Sequence, residues 1–236
     1  MVLYKRDAEC RDLVDPDECI ALIENLFRQE SDGTVENRPT TELSLPRGVF
    51  RLKAGGTYGM NTFGSKAYAA GGRYLVFVYD LNTGLDGIVE SRGLTEHRTG
   101  AVSAVGTRYM ARPGSSRLGI IGTGREARAQ LSYLVRSMPI TSVKAFSCKE
   151  ENRETFAREL SAQLSIQVLP AGSAAECVRD VDIVTTITNA NDPVMEGLES
   201  KELVPGGGLE PPSPRGRRIL RFLWRSRVFG CLPESG

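Results

Sequence analysis

Histidine and tryptophan are nearly absent: the 236 residues hold one of each. The single histidine, His97, excludes a histidine-built metal centre, and Ser–His–Asp chemistry would have to rest on it alone. Cysteine is sparse as well. Cys10, Cys19, Cys148, Cys177 and Cys231 form no CxxC pair, so their spacing implies neither a zinc site nor a disulfide framework and fits a reducing compartment. Charge of either sign is not in excess: 30 basic and 29 acidic residues leave a net charge of +1. That excludes a broad electrostatic footprint for nucleic acid or a membrane surface. No apolar run is long enough to span a bilayer, and no charged-then-apolar leader opens the chain. A cytoplasmic protein with neither a nucleic-acid nor a membrane partner is expected.

What is present centres on residues 118–127, Leu-Gly-Ile-Ile-Gly-Thr-Gly-Arg-Glu-Ala. An apolar run ends in Gly122-Thr123-Gly124, and Arg125 to about Ser137 reads as helix. Strand, glycine turn and helix in this order form the phosphate-binding element of a dinucleotide site. Gly122 permits the turn, Gly124 lets backbone approach a pyrophosphate, and Ala127 lets helix and strand pack closely. Arg125 and Glu126 open the helix, whose N-terminus offers N–H groups and partial positive charge to an anion.

Before this element, Asp15-Pro16-Asp17-Glu18 marks a helix start, followed by Ile20, Ile23, Leu26 and Phe27 at helical spacing. Residues 31–48 read as loop or short edge strand. Val49–Ala54 and Tyr58–Phe63 read as strands around a Gly55-Gly56 turn. Arg73–Asp80 and Gly87–Ser91 read as strands joined at Asn82-Thr83-Gly84. An α+β region with an antiparallel sheet is expected. Thr95 is then placed as the cap of a small-sided helix ending near Ala111, which puts Arg98 and Thr99 in its first turn. There Arg98 reads either as a solvated arginine or as an anchor for a carboxylate or phosphate.

After the glycine turn, strands are expected at Ser142–Ser147, Ile166–Leu169 and Asp182–Ile187, with helices at Glu150–Leu164 and Ser173–Arg179. The alternation implies a doubly wound parallel sheet with ligands at the carboxyl ends of its strands. Gly122, Gly124, Ser147, Cys148, Lys149 and Thr188-Asn189 fall on that edge. The end of the second strand selects the nicotinamide cofactor. It carries Ser147-Cys148-Lys149 and no acid, so Lys149 tilts the reading from NAD toward NADP.

Three blocks of sequence carry a family resemblance: Leu94-Thr-Glu-His-Arg-Thr-Gly-Ala101, Arg108-Tyr-Met-Ala-Arg112 and the 118–127 turn. Thr185–Thr188, Pro193-Val194 and Leu203-Val-Pro-Gly206 extend it. With these the chain resembles the ornithine cyclodeaminase/mu-crystallin family over roughly residues 13–206. The resemblance implies a Rossmann-type α/β sheet, incomplete at its C-terminal side, joined to an N-terminal α+β substrate and dimerisation domain. It divides the chain into 1–113, 114–205 and a divergent basic tail, 206–236. It implies a homodimer that acts with NAD or NADP at C2 of a small amino or imino acid, as cyclodeaminases and amino-acid dehydrogenases do. Arg98 matches the arginine that holds the substrate carboxylate. Thr99 matches a residue near the cofactor pyrophosphate, and Thr123, Arg125, Glu126 and Thr188 join the cofactor set.

The chain also departs from the family pattern. Asn61, in Gly59-Met60-Asn61, takes the place expected of a substrate-facing lysine, and Lys66 could compensate only in a different register. A second family arginine corresponds to Thr40, with Arg38 adjacent. The acidic residue expected beyond Val204-Pro205-Gly206 has no counterpart. These departures leave two further readings open: a dinucleotide-binding protein with weak or no catalysis, and a truncated, non-functional copy. The Arg215–Phe229 stretch reads as a non-native tail or as a basic amphipathic segment.

Overall fold

The computed structural model describes residues 1–188 apart from Asp12 and Ala70, together with Val194. The readings made on Asn189, Pro193, Leu203–Gly206 and the 206–236 tail lie outside the described residues. The chain divides into two compact units, Met1–Val102 and Ser103–Gly236.

The first unit is built on a seven-stranded sheet. β1 (Leu3–Lys5) and α1 (Asp7–Arg11) open it, and α2 (Pro16–Ser31) follows. Asp15 caps α2 as expected, its carboxylate accepting from the N–H groups of Asp17 and Glu18 at 2.9 Å. Then come β2 (Val35–Asn37), β3 (Thr41–Leu45), β4 (Gly48–Thr57), β5 (Thr62–Ala69), β6 (Leu75–Asp80) and β7 (Gly84–Glu90). The sheet is mixed, since β1 joins β7 in parallel while the other pairs are antiparallel.

Two expectations about this unit are corrected. Gly55-Gly56 is not a turn but lies inside β4, and the hairpin turn falls at Tyr58–Asn61. The glycines serve close approach instead. A Cβ on Gly56 would stand 2.8 Å from Phe63 Cβ, and one on Gly55 would stand 3.0 Å from the Glu36 carbonyl oxygen. Second, α3 spans Arg92–Met110 and begins three residues before Thr95. Thr95 is inside the helix, its hydroxyl donating to the Ser91 carbonyl at 2.7 Å. Arg98 and Thr99 therefore lie beyond the first turn, and the helix-terminus argument for an anion at Arg98 is lost.

One face of this sheet is covered by helices. Thr57 of β4 donates to Gln29 of α2 at 2.7 Å, and Lys66 of β5 donates to Thr95 of α3 at 2.5 Å. Register places Leu43, Leu52 and Phe63 on the opposite face, where all three are exposed.

The second unit holds β8 (Arg117–Ile121), α4 (Arg125–Ser137), β9 (Ser142–Phe146), α5 (Glu150–Leu164), β10 (Gln167–Pro170), α6 (Ala174–Val178) and β11 (Ile183–Thr186). Its sheet order is β10-β9-β8-β11 and every pair is parallel. Strand alternation splits the apolar residues between two layers. Leu118, Ile120, Val143 and Ala145 pack with Ala127, Leu131 and Leu134 of α4 and with Phe156 and Leu160 of α5. On the other face Ile121 packs with Ala171 and Cys177 of the α6 segment. The core side chains are almost wholly excluded from water, and each buried leucine or phenylalanine contributes about 1.5–3 kcal/mol. Asp182 ties the start of β11 to β8. Its carboxylate accepts from the Ser116 and Arg117 N–H groups and from the Arg117 guanidinium, which together hold it well below the usual carboxylate range.

Candidate functional site

Two sets of residues carry recognisable chemistry, one in each unit. In the second, the carboxyl ends of three strands meet. Gly122 N–H donates to the Phe146 carbonyl at 2.8 Å, and Ile187 N–H donates to the Ile121 carbonyl at 2.7 Å. The topological switch lies at β8, between β9 and β11, where open parallel sheets bind their ligands.

The glycines of this turn have different tasks. Gly122 has φ +108°, and a Cβ there would lie 1.9 Å from the Ile187 carbonyl oxygen. It allows the turn to pass against the end of β11. Gly124 is extended (φ −76°, ψ −174°) and is the N-cap of α4, with no side-chain capping bond. Nothing lies within 4 Å of where its Cβ would be. Backbone therefore faces open space where a pyrophosphate would sit on a helix N-terminus. Thr123 is half-buried, Arg125 is exposed, Glu126 is half-buried, and Ala127 is buried in the core. Gly122, Thr123 and Gly124 fit a dinucleotide through backbone, and Ala127 fits it through close packing.

The turn after β9 stands beside this one. Ser147 donates to the Lys149 carbonyl at 3.0 Å, and Lys149 is exposed as the N-cap of α5. Arg153, which the sequence reading overlooked, donates from below to the Ser147 carbonyl at 3.3 Å. The signal for it was available: it is the fourth residue of α5, one turn from the strand end. Thr188 is half-buried at the end of the β11 segment.

The first unit gathers cations. Lys66 donates to Thr95, and its ammonium lies 5.3 Å and 5.1 Å from the ring centres of Tyr68 and Tyr74. Arg98 follows Thr95 by three residues on α3, so both occupy the same flank of the helix. Arg98 is exposed, and the buried Thr99 donates its hydroxyl to the Thr95 carbonyl at 2.6 Å. Asn61 is elsewhere. It sits in the hairpin turn with φ +51° and donates to Asp80 at 3.4 Å. The fold thus brings Lys66, not Asn61, to the helix that carries Arg98. Among the described residues no group of three or more His, Cys, Asp or Glu side chains could hold a metal ion. Nor is any helix among them long and apolar enough to cross a membrane.

A four-stranded parallel sheet with a bare glycine turn at its switch point is the arrangement of a Rossmann-like α/β unit. The chain belongs to the ornithine cyclodeaminase/mu-crystallin family, whose sequence model matches residues 1–207. It is 33% identical over 129 residues to an L-lysine cyclodeaminase of Streptomyces rapamycinicus, covering 54% of this chain and 33% of that protein. It is 28% identical to an alanine dehydrogenase of Archaeoglobus fulgidus, over 80% of this chain and 60% of that one. Among solved structures it resembles a Thermococcus litoralis Δ1-pyrroline-2-carboxylate reductase in complex with NADH and L-proline. That match has a TM-score of 0.77 and 26% identity, covering 82% of this chain and 64% of the other. An archaeal alanine dehydrogenase dimer with bound NAD matches at a TM-score of 0.76 and 26% identity, covering 82% and 62%. The matches to these relatives thus span between about a third and two-thirds of their lengths.

Proposed function

We propose that this chain is an NAD(P)-dependent oxidoreductase acting at C2 of a small amino or imino acid. The observation that carries the reading is the bare β8–α4 turn, with Gly122 locked against Ile187 and Gly124 open to a ligand. The nicotinamide, when bound, supplies the hydride acceptor or donor. Gly122, Thr123, Gly124 and the start of α4 would hold its pyrophosphate, and Ser147 and Lys149 would meet the adenosine ribose. In the first unit, Arg98 holds the substrate carboxylate. Lys66 supplies the second positive charge on that flank of α3. A lysine on that flank supports the enzymatic reading against one of the two grounds for a binding-only protein, the lysine missing at Asn61; the other, the missing acidic segment, stands. The similarity to an enzyme solved with NADH and L-proline supports the same assignment.

The test is absorbance at 340 nm with NADH or NADPH and a cyclic imino acid such as Δ1-pyrroline-2-carboxylate, or in reverse with proline, ornithine or alanine. Substrate-dependent change that Arg98→Met abolishes is expected. Saturable cofactor binding with no turnover on any of these would overturn the enzymatic reading in favour of a binding protein.

We further propose NADP as the preferred cofactor, because β9 ends without an acid and Lys149 is free to meet a 2′-phosphate. Lys149→Ala is expected to weaken NADPH about tenfold, the cost of one exposed charge-assisted contact, and to leave NADH unchanged. Nicotinamide fluorescence titration reads both; equal loss for the two cofactors would contradict the preference.

A homodimer is the reading for the exposed sheet face of the first unit. Leu43, Leu52 and Phe63 lie there together, and an apolar face of this kind marks an interaction surface. A relative of similar fold is described as a dimer. Leu52→Glu is expected to convert the protein to monomer at micromolar concentration in sedimentation velocity. An unchanged sedimentation coefficient would place the contact elsewhere.

A further inference from the structure

Arg153 of the second unit is a costly residue without an assigned role. It is the fourth residue of α5. A cation so near a helix N-terminus opposes the helix dipole, and its place there costs stability unless something offsets it. Its side chain is also largely withdrawn from water, at 15% exposed. The offset is a fork. Nη1 donates to the Ser147 carbonyl at 3.3 Å, and Nη2 lies 3.4 Å from Oε1 of Glu150. A guanidinium is planar and its donors diverge at fixed angles, so holding one end aims the other. Arg153 thus spans the turn from the end of β9 to the start of α5. The residue at the far end matters. The Glu150 side chain is 72% exposed, and it adjoins Lys149, the cation proposed for the 2′-phosphate. In sheets of this kind an acid here accepts the ribose hydroxyls, while a cation favours a 2′-phosphate. Left to itself, the Glu150 carboxylate would repel that phosphate and offset Lys149. An ion pair this exposed contributes little to stability, so its worth lies in where it keeps the charge.

We propose that Arg153 is a positioning residue that sets cofactor preference: anchored on the Ser147 carbonyl, it holds the Glu150 carboxylate back from the cofactor's 2′ position. Lys149 then meets a 2′-phosphate without a competing acid. The inference rests on the reading that this turn prefers NADP. Arg153 acts through Glu150 and is assigned no contact with the cofactor.

The experiment is fluorescence titration of the full chain with NADPH and NADH, with competition by adenosine 2′,5′-bisphosphate and by 5′-AMP. The variants are Arg153→Met, Arg153→Met combined with Glu150→Gln, and Lys149→Ala. Arg153→Met is expected to weaken NADPH and the bisphosphate about three- to tenfold, the scale of one like charge near the surface, while NADH and 5′-AMP stay within about twofold. Adding Glu150→Gln should return NADPH to near wild-type affinity. The ratio of wild-type to Arg153→Met affinity should also shrink at high salt, because the loss is a repulsion between solvent-exposed charges. Unchanged NADH binding certifies a folded site in the variant. Equal losses for the two cofactors, or a loss that Glu150→Gln leaves in place, would overturn the inference. So would an Arg153→Met protein that binds NADPH as the wild type does. Lys149→Ala judges the supporting reading apart. NADPH weakened by Lys149→Ala but untouched by Arg153→Met strikes the inference alone. NADPH indifferent to Lys149→Ala would overturn the NADP reading and the inference with it.

Discussion

Gly122→Ala is expected to unfold the second unit at temperatures where the wild type is native. The added methyl would stand 1.9 Å from the Ile187 carbonyl oxygen and 2.6 Å from its carbon, and both are backbone that no side-chain rotation can clear. The residue must also hold φ +108°, a conformation that costs any L side chain. The conformational cost and the overpacking cost together come to about 3–5 kcal/mol. For a unit of this size that lowers the melting temperature by roughly 10 °C or more. The informative companion is Gly124→Ala. Its φ of −76° suits any residue and no atom stands within 4 Å of the new Cβ, so the fold is expected to melt as wild type. Cofactor binding should nonetheless fall about tenfold or more, because the methyl occupies the space a pyrophosphate needs. Differential scanning fluorimetry separates the pair. Equal destabilisation by both substitutions would mean that the two glycines serve the fold alike, and would remove the ligand from the explanation.

Lys66→Met is expected to have the largest effect on activity. The substitution keeps the length of the side chain and its contact with Tyr68 and Tyr74 while deleting the charge. The hydrogen bond to Thr95 is lost, but Thr95 keeps its own bond to Ser91, so α3 retains its first turn. The stability change should stay within about 1 kcal/mol, in the range of one part-exposed hydrogen bond. The loss in kcat/KM should reach about 10²–10³, the scale of one group that positions a substrate or moves a proton. Steady-state kinetics with a melting curve on the same sample checks it. Asn61→Lys makes the complementary control. It restores a lysine at the sequence position the family resemblance pointed to, in a hairpin turn away from α3, and should not rescue Lys66→Met. Rescue would show that Asn61 occupies the substrate position after all.

The contrast between Lys66 and Asn61 shows what could and could not be read from the chain. Helices α4 and α5 were legible to the residue because each has a clean start, Gly124 before Arg125 and a strand end before Glu150, followed by apolar positions at helical spacing. The parallel sheet was legible because strand and helix alternate. Gly55-Gly56 misled because glycine marks two different things, a turn and a close approach of neighbouring strands. Here the second holds, and the misplaced turn carried Asn61 with it. The start of α3 was misplaced because Thr95 is a good capping residue that spends its hydroxyl on Ser91 inside the helix instead. The meeting of Lys66 with Thr95 carried no signal in one dimension, because β5 and α3 are far apart along the chain. Side chains that meet through a sheet register and a helix far along the chain are not visible as a spacing.

The central claim is that the Gly122–Ala127 turn binds a nicotinamide dinucleotide. The most direct measurement is the melting temperature of the purified full chain over a range of NADH and NADPH concentrations, beside Gly124→Ala as the control. Binding to the native state adds RT ln(1 + [L]/Kd), about 2.7 kcal/mol at a hundredfold excess over Kd. A dose-dependent rise in melting temperature, larger for NADPH and diminished in Gly124→Ala, is the predicted result. A chain that melts cooperatively at a temperature indifferent to both cofactors would contradict the account.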